Sequence, residues 1–390
     1  MASKLPRQVK LFGAVSLLND FASEMVYPLL PAFVTSVLGA GAAALGALDG
    51  AAEFAAALVK HATGRLADRP TRRGPLVVLG YAVAVAVRPL IALTGAAWQV
   101  IGLRVVDRVG KGIRTPPRDA IIADATPPEL RGRAFGLQRG LDHTGAVLGP
   151  LVAWLLLSTG AVDVRGVIAA SIVPGVLVLV LAMLAVGRYG GRAVRTAEPE
   201  PRNDVLTALP PSRPTALLPI AAFHLLRVPE TLIILRAQQL GVPVAAVTVL
   251  WAALHVVKAG SSFLGGRLSD RLGPRRTMWL GWASYAALAT GFALADGAGQ
   301  AWVLFLTLGV VSGLTESPER ALVAASAGTR QGSGFGAYHA VTGVTALVGG
   351  LALGLLYQRA GGAVAFWASA GAGAVLCAAW AASGLRTRRE

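Results

Sequence analysis

Cysteine is nearly absent. Cys377 stands alone, so neither an intrachain disulfide framework nor a cysteine metal cluster can form, and packing is its expected role. Charge is also sparse: 14 % of the residues are charged, against about 25 % in an ordinary soluble chain. Acids are the rarer sign, 20 Asp and Glu against 36 Lys and Arg, which leaves a formal net charge of +16. A nucleotide-binding loop is missing, because in "RVGKGIRT" Lys111 is followed by Gly112 and no strand precedes it. The chain has no His-Glu-x-x-His run, no nucleophile–base set and no ligand-spaced histidines. These absences exclude an ATP-driven pump and a disulfide-stapled secreted domain. They point away from an enzyme, and no cofactor or metal is expected.

Apolar sequence is what the chain has in abundance. Hydrophobic residues make up 54 % of it, and its mean hydropathy is +0.60. Crossing hydrocarbon takes a helix of about 20 apolar residues. Twelve such segments recur, centred near residues 25, 53, 85, 110, 146, 175, 226, 255, 285, 311, 346 and 373. The basic residues do not form a nucleic-acid patch. They crowd into alternate connections, such as Arg65, Arg69, Arg72 and Arg73, and later Arg267, Arg271, Arg275 and Arg276, while turns such as "TGAAW" carry none. This is the positive-inside pattern, which places both termini in the cytoplasm and demands an even number of spans. The first apolar stretch contains Asn19, Asp20 and Glu24 and reads as a retained helix, not a signal peptide.

The chain repeats itself. "GRLADRPTRR" begins at Gly64 and "GRLSDRLGPRR" at Gly266, 202 residues later. "GRAFG" at 132–136 matches "GSGFG" at 332–336, and Pro117 matches Pro318. Two parallel six-helix halves follow, residues 1–186 and 214–390, joined by a Pro-, Gly- and Arg-rich cytoplasmic linker at 187–213.

At these residues the sequence resembles the major facilitator superfamily. Its loop hallmark, Gly-x-x-x-Asp-Arg-x-Gly-Arg-Arg, is met by Gly64, Asp68, Arg69, Arg72 and Arg73, with Thr71 in the glycine's place, and again by Gly266, Asp270, Arg271, Gly273 and Arg275. Gly136, Gly145, Gly149 and Pro150 resemble the antiporter signature of drug–proton exchangers, although Ala153 and Trp154 replace its last glycines. The resemblance implies an all-α membrane protein of twelve transmembrane helices in two pseudo-symmetric bundles. It further implies a monomeric carrier in the bacterial inner membrane that moves a small molecule by alternating access, driven by protons or sodium. Asp68 would be the acid of a cytoplasmic latch, Arg69 and Arg72 its cationic partners, and Asp124 a counter-charge. Physically, an Asp at a helix N-terminus is held by free amides and the helix dipole. Gly140, Gly145 and Gly149 would admit close helix packing, and Pro150 would bend its span.

Charges inside the spans then demand company. Arg104, Arg108, Lys111 and Arg114 lie in the fourth segment, and facing lipid they would together cost about 10–14 kcal/mol. Arg104, Arg108 and Lys111 share one helical face. The acids expected to meet them are Asp20 and Glu24 with Tyr27 beside them, Glu53, and Asp142 with Arg139. The second half offers His224, Arg227 and Glu230, then His255. As a set these residues are expected to bind substrate and exchange protons, because desolvation and neighbouring charge pull a carboxyl's protonation in opposite directions. Proton-coupled efflux of a small solute is the leading expectation. Its rivals are an organic-anion or metabolite carrier, a metal-ion exporter using Asp20, His224 and His255, and a non-transporting receptor.

Overall fold

A computed structural model describes residues 5–67, 69–187, 217–327 and 331–386. Asp68 and nearly all of the expected linker at 187–213 therefore lie outside the described residues. Contacts group the chain into two compact units, Met1–Leu38 with Ala55–Asn203, and Gly39–Phe54 with Asp204–Glu390. The division by contact thus differs from the division by repeat: the first half of the second helix packs in the second unit.

Among the described residues the architecture is all-helical, with twelve rods. The first six are α1 (7–37), α2 (Ala42–Ala67), α3 (70–93), α4 (Ala97–Asp124), α5 (Arg131–Ser158) and α6 (Val164–Gly187). The second six are α7 (Leu217–Gln239), α8 (Val244–Leu272), α9 (Pro274–Leu294), α10 (Ala298–Ala327), α11 (Gln331–Ala360) and α12 (Gly362–Arg386). Among the described residues, nine of these rods are both long and apolar enough to cross a membrane. α1, α4 and α9 complete the twelve. α4 falls short because Arg104, Asp107, Arg108, Lys111 and Arg114 interrupt it, α1 because of Lys10, Asp20 and Glu24, and α9 because Trp279, Trp282, Ser284 and Tyr285 dilute its apolarity. Large apolar side chains such as Leu58, Leu79, Val173, Phe263, Leu264 and Val375 stand exposed on the rods, as a hydrocarbon solvent requires.

Small residues set the helix contacts, since hydrocarbon offers no hydrophobic drive and close van der Waals packing must hold the rods. α5 lies against α1 because a side chain at Gly145 or Gly149 would overlap the carbonyl oxygens of Leu17 and Phe21. The matching pair in the second unit is α11 on α7, where Gly349 meets the backbone of Leu225. Likewise Gly80 and Gly110 bring α3 onto α4, as Gly281 brings α9 onto α10 at Leu314 and Thr315. Each unit thus repeats the other's pairings. The core of the first unit gathers Val9, Phe12 and Val15 of α1, Val77 and Tyr81 of α3, Ile121 and Ile122 of α4, and Val178 and Ala182 of α6.

Two rods depart from regular helix where function needs it. α1 is regular over Arg7–Val26, then passes through a 3-10 turn at Tyr27–Leu29 and a π-turn at Phe33–Val37, because Pro28 and Pro31 remove two amide donors. α7 is broken between Leu226 and Glu230. In hydrocarbon the backbone groups freed by a break must be bonded within the protein. Here the Val228 amide donates to Tyr285 Oη at 2.7 Å, and Ser369 Oγ donates to the Leu226 carbonyl at 2.6 Å. The N-terminus of the second segment is capped by Asp49 of α2, which accepts from the Thr231 amide at 3.1 Å and from its hydroxyl at 2.8 Å.

Candidate transport site

In the first unit the buried charges form a closed lattice. Asp107 of α4 accepts from Arg88 Nε of α3 at 2.9 Å and from Arg104 Nη1, one turn back on its own helix, at 3.3 Å. Arg88 continues to Asn19 of α1, donating to its backbone carbonyl and to Oδ1, both at 3.2 Å. Arg114 donates to the same Oδ1 at 3.3 Å and to the Gly80 carbonyl at 3.3 Å, with its guanidinium 4.8 Å from the Tyr81 ring centroid. The Arg104 guanidinium stacks on Tyr27 at 4.8 Å, where the irregular turn of α1 presents that ring. Arg88, Arg104 and Asp107 keep only 3–5 % of their side-chain surface exposed. They are shut away from ligand and solvent alike.

This lattice differs from the sequence reading. That reading looked for partners on α1, α2 and α5, but Arg104 finds its acid three residues along on α4. Arg88 and Asp107 stand outside the set of charges expected from the sequence. Applied to α3, the argument used on α4 would have found Arg88, a lone charge in an apolar rod. Asn19, the hub, carries no charge and left no such signal. The shared face also grades: Arg104 and Arg114 are buried, Arg108 is half-buried and Lys111 is exposed.

Beside the lattice lies a pair of carboxyls. Asp20 of α1 accepts from Asn19 Nδ2 at 3.0 Å. Asp142 of α5 accepts from Gln138 Nε2 at 2.5 Å, and Gln138 also donates to Ser16 Oγ at 3.0 Å. Asp20, Arg118 and Arg139 are the charged neighbours of Asp142. Arg118 itself bonds Asp119 at 2.8 Å. Glu24 is half-buried on α1, and Arg139 is exposed. Glu53 is exposed on the part of α2 that belongs to the second unit.

The second unit holds two acid–base groups around the broken α7. His224 Nε2 meets Glu319 Oε1 of α10 at 2.8 Å. Glu319 is only 3 % exposed. Glu230 Oε1 accepts from Lys258 Nζ of α8 at 2.6 Å and faces Arg227 Nη2 at 3.6 Å. His255 packs edge-on against Trp251, centroids 5.3 Å apart, and Lys258 Nζ lies 5.7 Å from the same indole. Among the described residues no three His, Cys, Asp or Glu side chains converge as a metal site requires, so metal export gains no geometric support.

The major facilitator superfamily model matches residues 12–235 and 215–390, which is nearly all of the chain. The chain belongs to the major facilitator superfamily. Over its whole length this facilitator is similar to an MFS-type transporter of Methanocaldococcus jannaschii, 29 % identical over 372 residues, covering 91 % of this chain and 89 % of that one. A shorter likeness, 31 % over 133 residues and 34 % of the chain, is to the multidrug resistance protein MdtH of Photorhabdus laumondii, 33 % of which it covers. Among solved structures, a POT family transporter superposes with a TM-score of 0.80 at 11 % identity, over 98 % of this chain and 96 % of that one, a likeness of fold alone.

The facilitator's loop motif is described only in part. Arg73, not Arg69 or Arg72, pairs with Asp124 at the end of α4 and also donates to the Ala67 carbonyl at 2.6 Å. Arg69 and Arg72 are exposed. In the second copy Gly273 ends α8 at φ +83°, a left-handed turn that glycine adopts without strain, and Asp270 and Arg271 are exposed beside it. Arg275 then stacks on Trp380 of α12 at 4.1 Å. Of the antiporter-like glycines, Gly145 and Gly149 press on α1, whereas Gly136 and Gly140 have open space around them. Packing accounts for the first two and not for the others.

Proposed function

We propose that the chain is a proton-coupled secondary transporter that exports a small solute by alternating access. It would work as a monomer in the inner membrane with both termini cytoplasmic. The observation that carries the reading is two span carboxyls, Asp20 on α1 and Asp142 on α5, near enough to act on each other, with Gln138 bonded both to Asp142 and to Ser16 of α1. Two carboxyls brought together inside a span are a place where a proton can be taken up and released. The local likeness to MdtH, a multidrug resistance protein, supports the outward direction. Asp68 is assigned to the cytoplasmic latch, together with the Arg73–Asp124 pair.

The test is proton flux in proteoliposomes carrying a pH-sensitive dye, with ethidium as solute. Solute-dependent proton movement is expected, with Asp20→Asn and Asp142→Asn each lowering it at least tenfold while the protein stays monodisperse. Flux that follows a sodium gradient, or mutants that still concentrate ethidium along a pH gradient, would remove the pair from the coupling role. A second reading, a carrier of an organic anion, is favoured by one observation: two cations converge on the single carboxylate Glu230.

A further inference from the structure

We propose that the break in α7 is the binding site for a monoanionic group, with Arg227 as the arm that grips it, Lys258 as the second cation, and Glu230 as the resident acid that holds both in place. The inference rests on the transporter reading above and names the class of solute for it.

Accessibility separates this cluster from the buried charges around Asp107. In the first unit the arginines around Asp107 retain 3–5 % of their side-chain surface. Arg227, Glu230 and Lys258 retain 21 %, 24 % and 16 %. A charged tip exposed within a span must meet water, because meeting acyl chains costs about 3 kcal/mol even on the mildest scale. The lattice of the first unit is therefore scaffold, and the cluster at α7 faces the aqueous path.

The geometry leaves one hand open. Lys258 is hydrogen-bonded to Glu230 Oε1 at 2.6 Å, while Arg227 stands 3.6 Å from the same oxygen, an ion pair too long for a hydrogen bond. A guanidinium in that state can turn its fork to an incoming carboxylate, the partner whose geometry it matches. Charge sets the valence. Arg227, Lys258 and Glu230 by themselves carry an excess of one positive charge, and the acids Glu316 and Glu319, which also act on Arg227, weigh against a second negative charge on the ligand.

The frame around the arm is rigid. The backbone of the break is fixed by Tyr285 and Ser369, and the helix that follows is capped by Asp49. The buried Trp251 indole packs under Lys258 and against His255, which fixes the direction of the lysine arm.

The experiment is calorimetric titration of the full-length protein in detergent with benzoate and 2-naphthoate, and with their neutral amides. The acids are expected to bind at least tenfold more tightly than the amides. Arg227→Gln should erase that preference, Lys258→Gln should reduce it, and Arg227→Lys should keep part of it, while affinity for the amides stays unchanged throughout. Melting temperatures of the ligand-free variants identify any that misfold, and Lys258→Gln then carries the test alone. Equal affinity for acid and amide, or a preference that survives Arg227→Gln, overturns the proposal. The transporter reading is judged separately by proton flux driven by either ethidium or 2-naphthoate. Flux without acid preference removes the clamp alone, and acid binding without any solute-coupled flux removes the transport reading.

Discussion

Arg88, Asp107 and Asn19 show how charge survives inside a span. Asp107 holds two guanidinium groups, and Asn19 Oδ1 accepts from Arg88 and Arg114 at once. Removing one member strands the others without water. Loss of a partner from a buried pair costs about 3–5 kcal/mol, so Arg88→Ala should lower the unfolding midpoint sharply in a detergent thermal melt. The same change at exposed Arg139 should leave it unmoved. If the two variants melt alike, the lattice is not structural. Arg104, expected from sequence as a substrate contact, is buried against Asp107 and Tyr27. Arg227 and Lys258 are more accessible. Sequence marks a charge inside a span as costly, but not whether it is sealed, because exposure depends on neighbours brought from other rods.

At the scale of elements, the glycines of α5 divide into two kinds. Gly149 lies against the Phe21 carbonyl, and Gly140 borders open space. Gly149→Val should push α5 off α1 and sharply reduce the yield of monodisperse protein, whereas Gly140→Ala should leave yield and melting temperature as they are. A size-exclusion profile of both variants decides the matter. Spacing placed Gly136, Gly145 and Gly149 in one motif and marked Gly140 for close packing, and only the packed helix separates the glycines that touch a backbone from those that do not. The break in α7 was equally hidden. Pro229 signals a discontinuity, but Tyr285 and Ser369, which make it tolerable, come from α9 and α12.

For the molecule as a whole, the repeat and the packing draw different boundaries. Gly46 and Gly50 of α2 press on the backbone of α11 at Gly350 and Leu347, and Asp49 caps α7. A fragment of residues 204–390 should therefore aggregate when expressed alone, and co-expression with residues 1–203 should restore a monodisperse complex. A well-behaved isolated fragment would show that α2 is dispensable to the second unit. The class of protein, the twelve spans, the inner repeat and the family were all legible along the chain, because hydrophobicity, the bias of Arg and Lys, and duplication are one-dimensional signals. Which charges pair, which glycines touch and where α2 docks were decided only in three dimensions. Those outcomes depend on distances between residues far apart in sequence, and in hydrocarbon it is close packing and internal bonding, not burial from water, that choose among the arrangements a pattern allows.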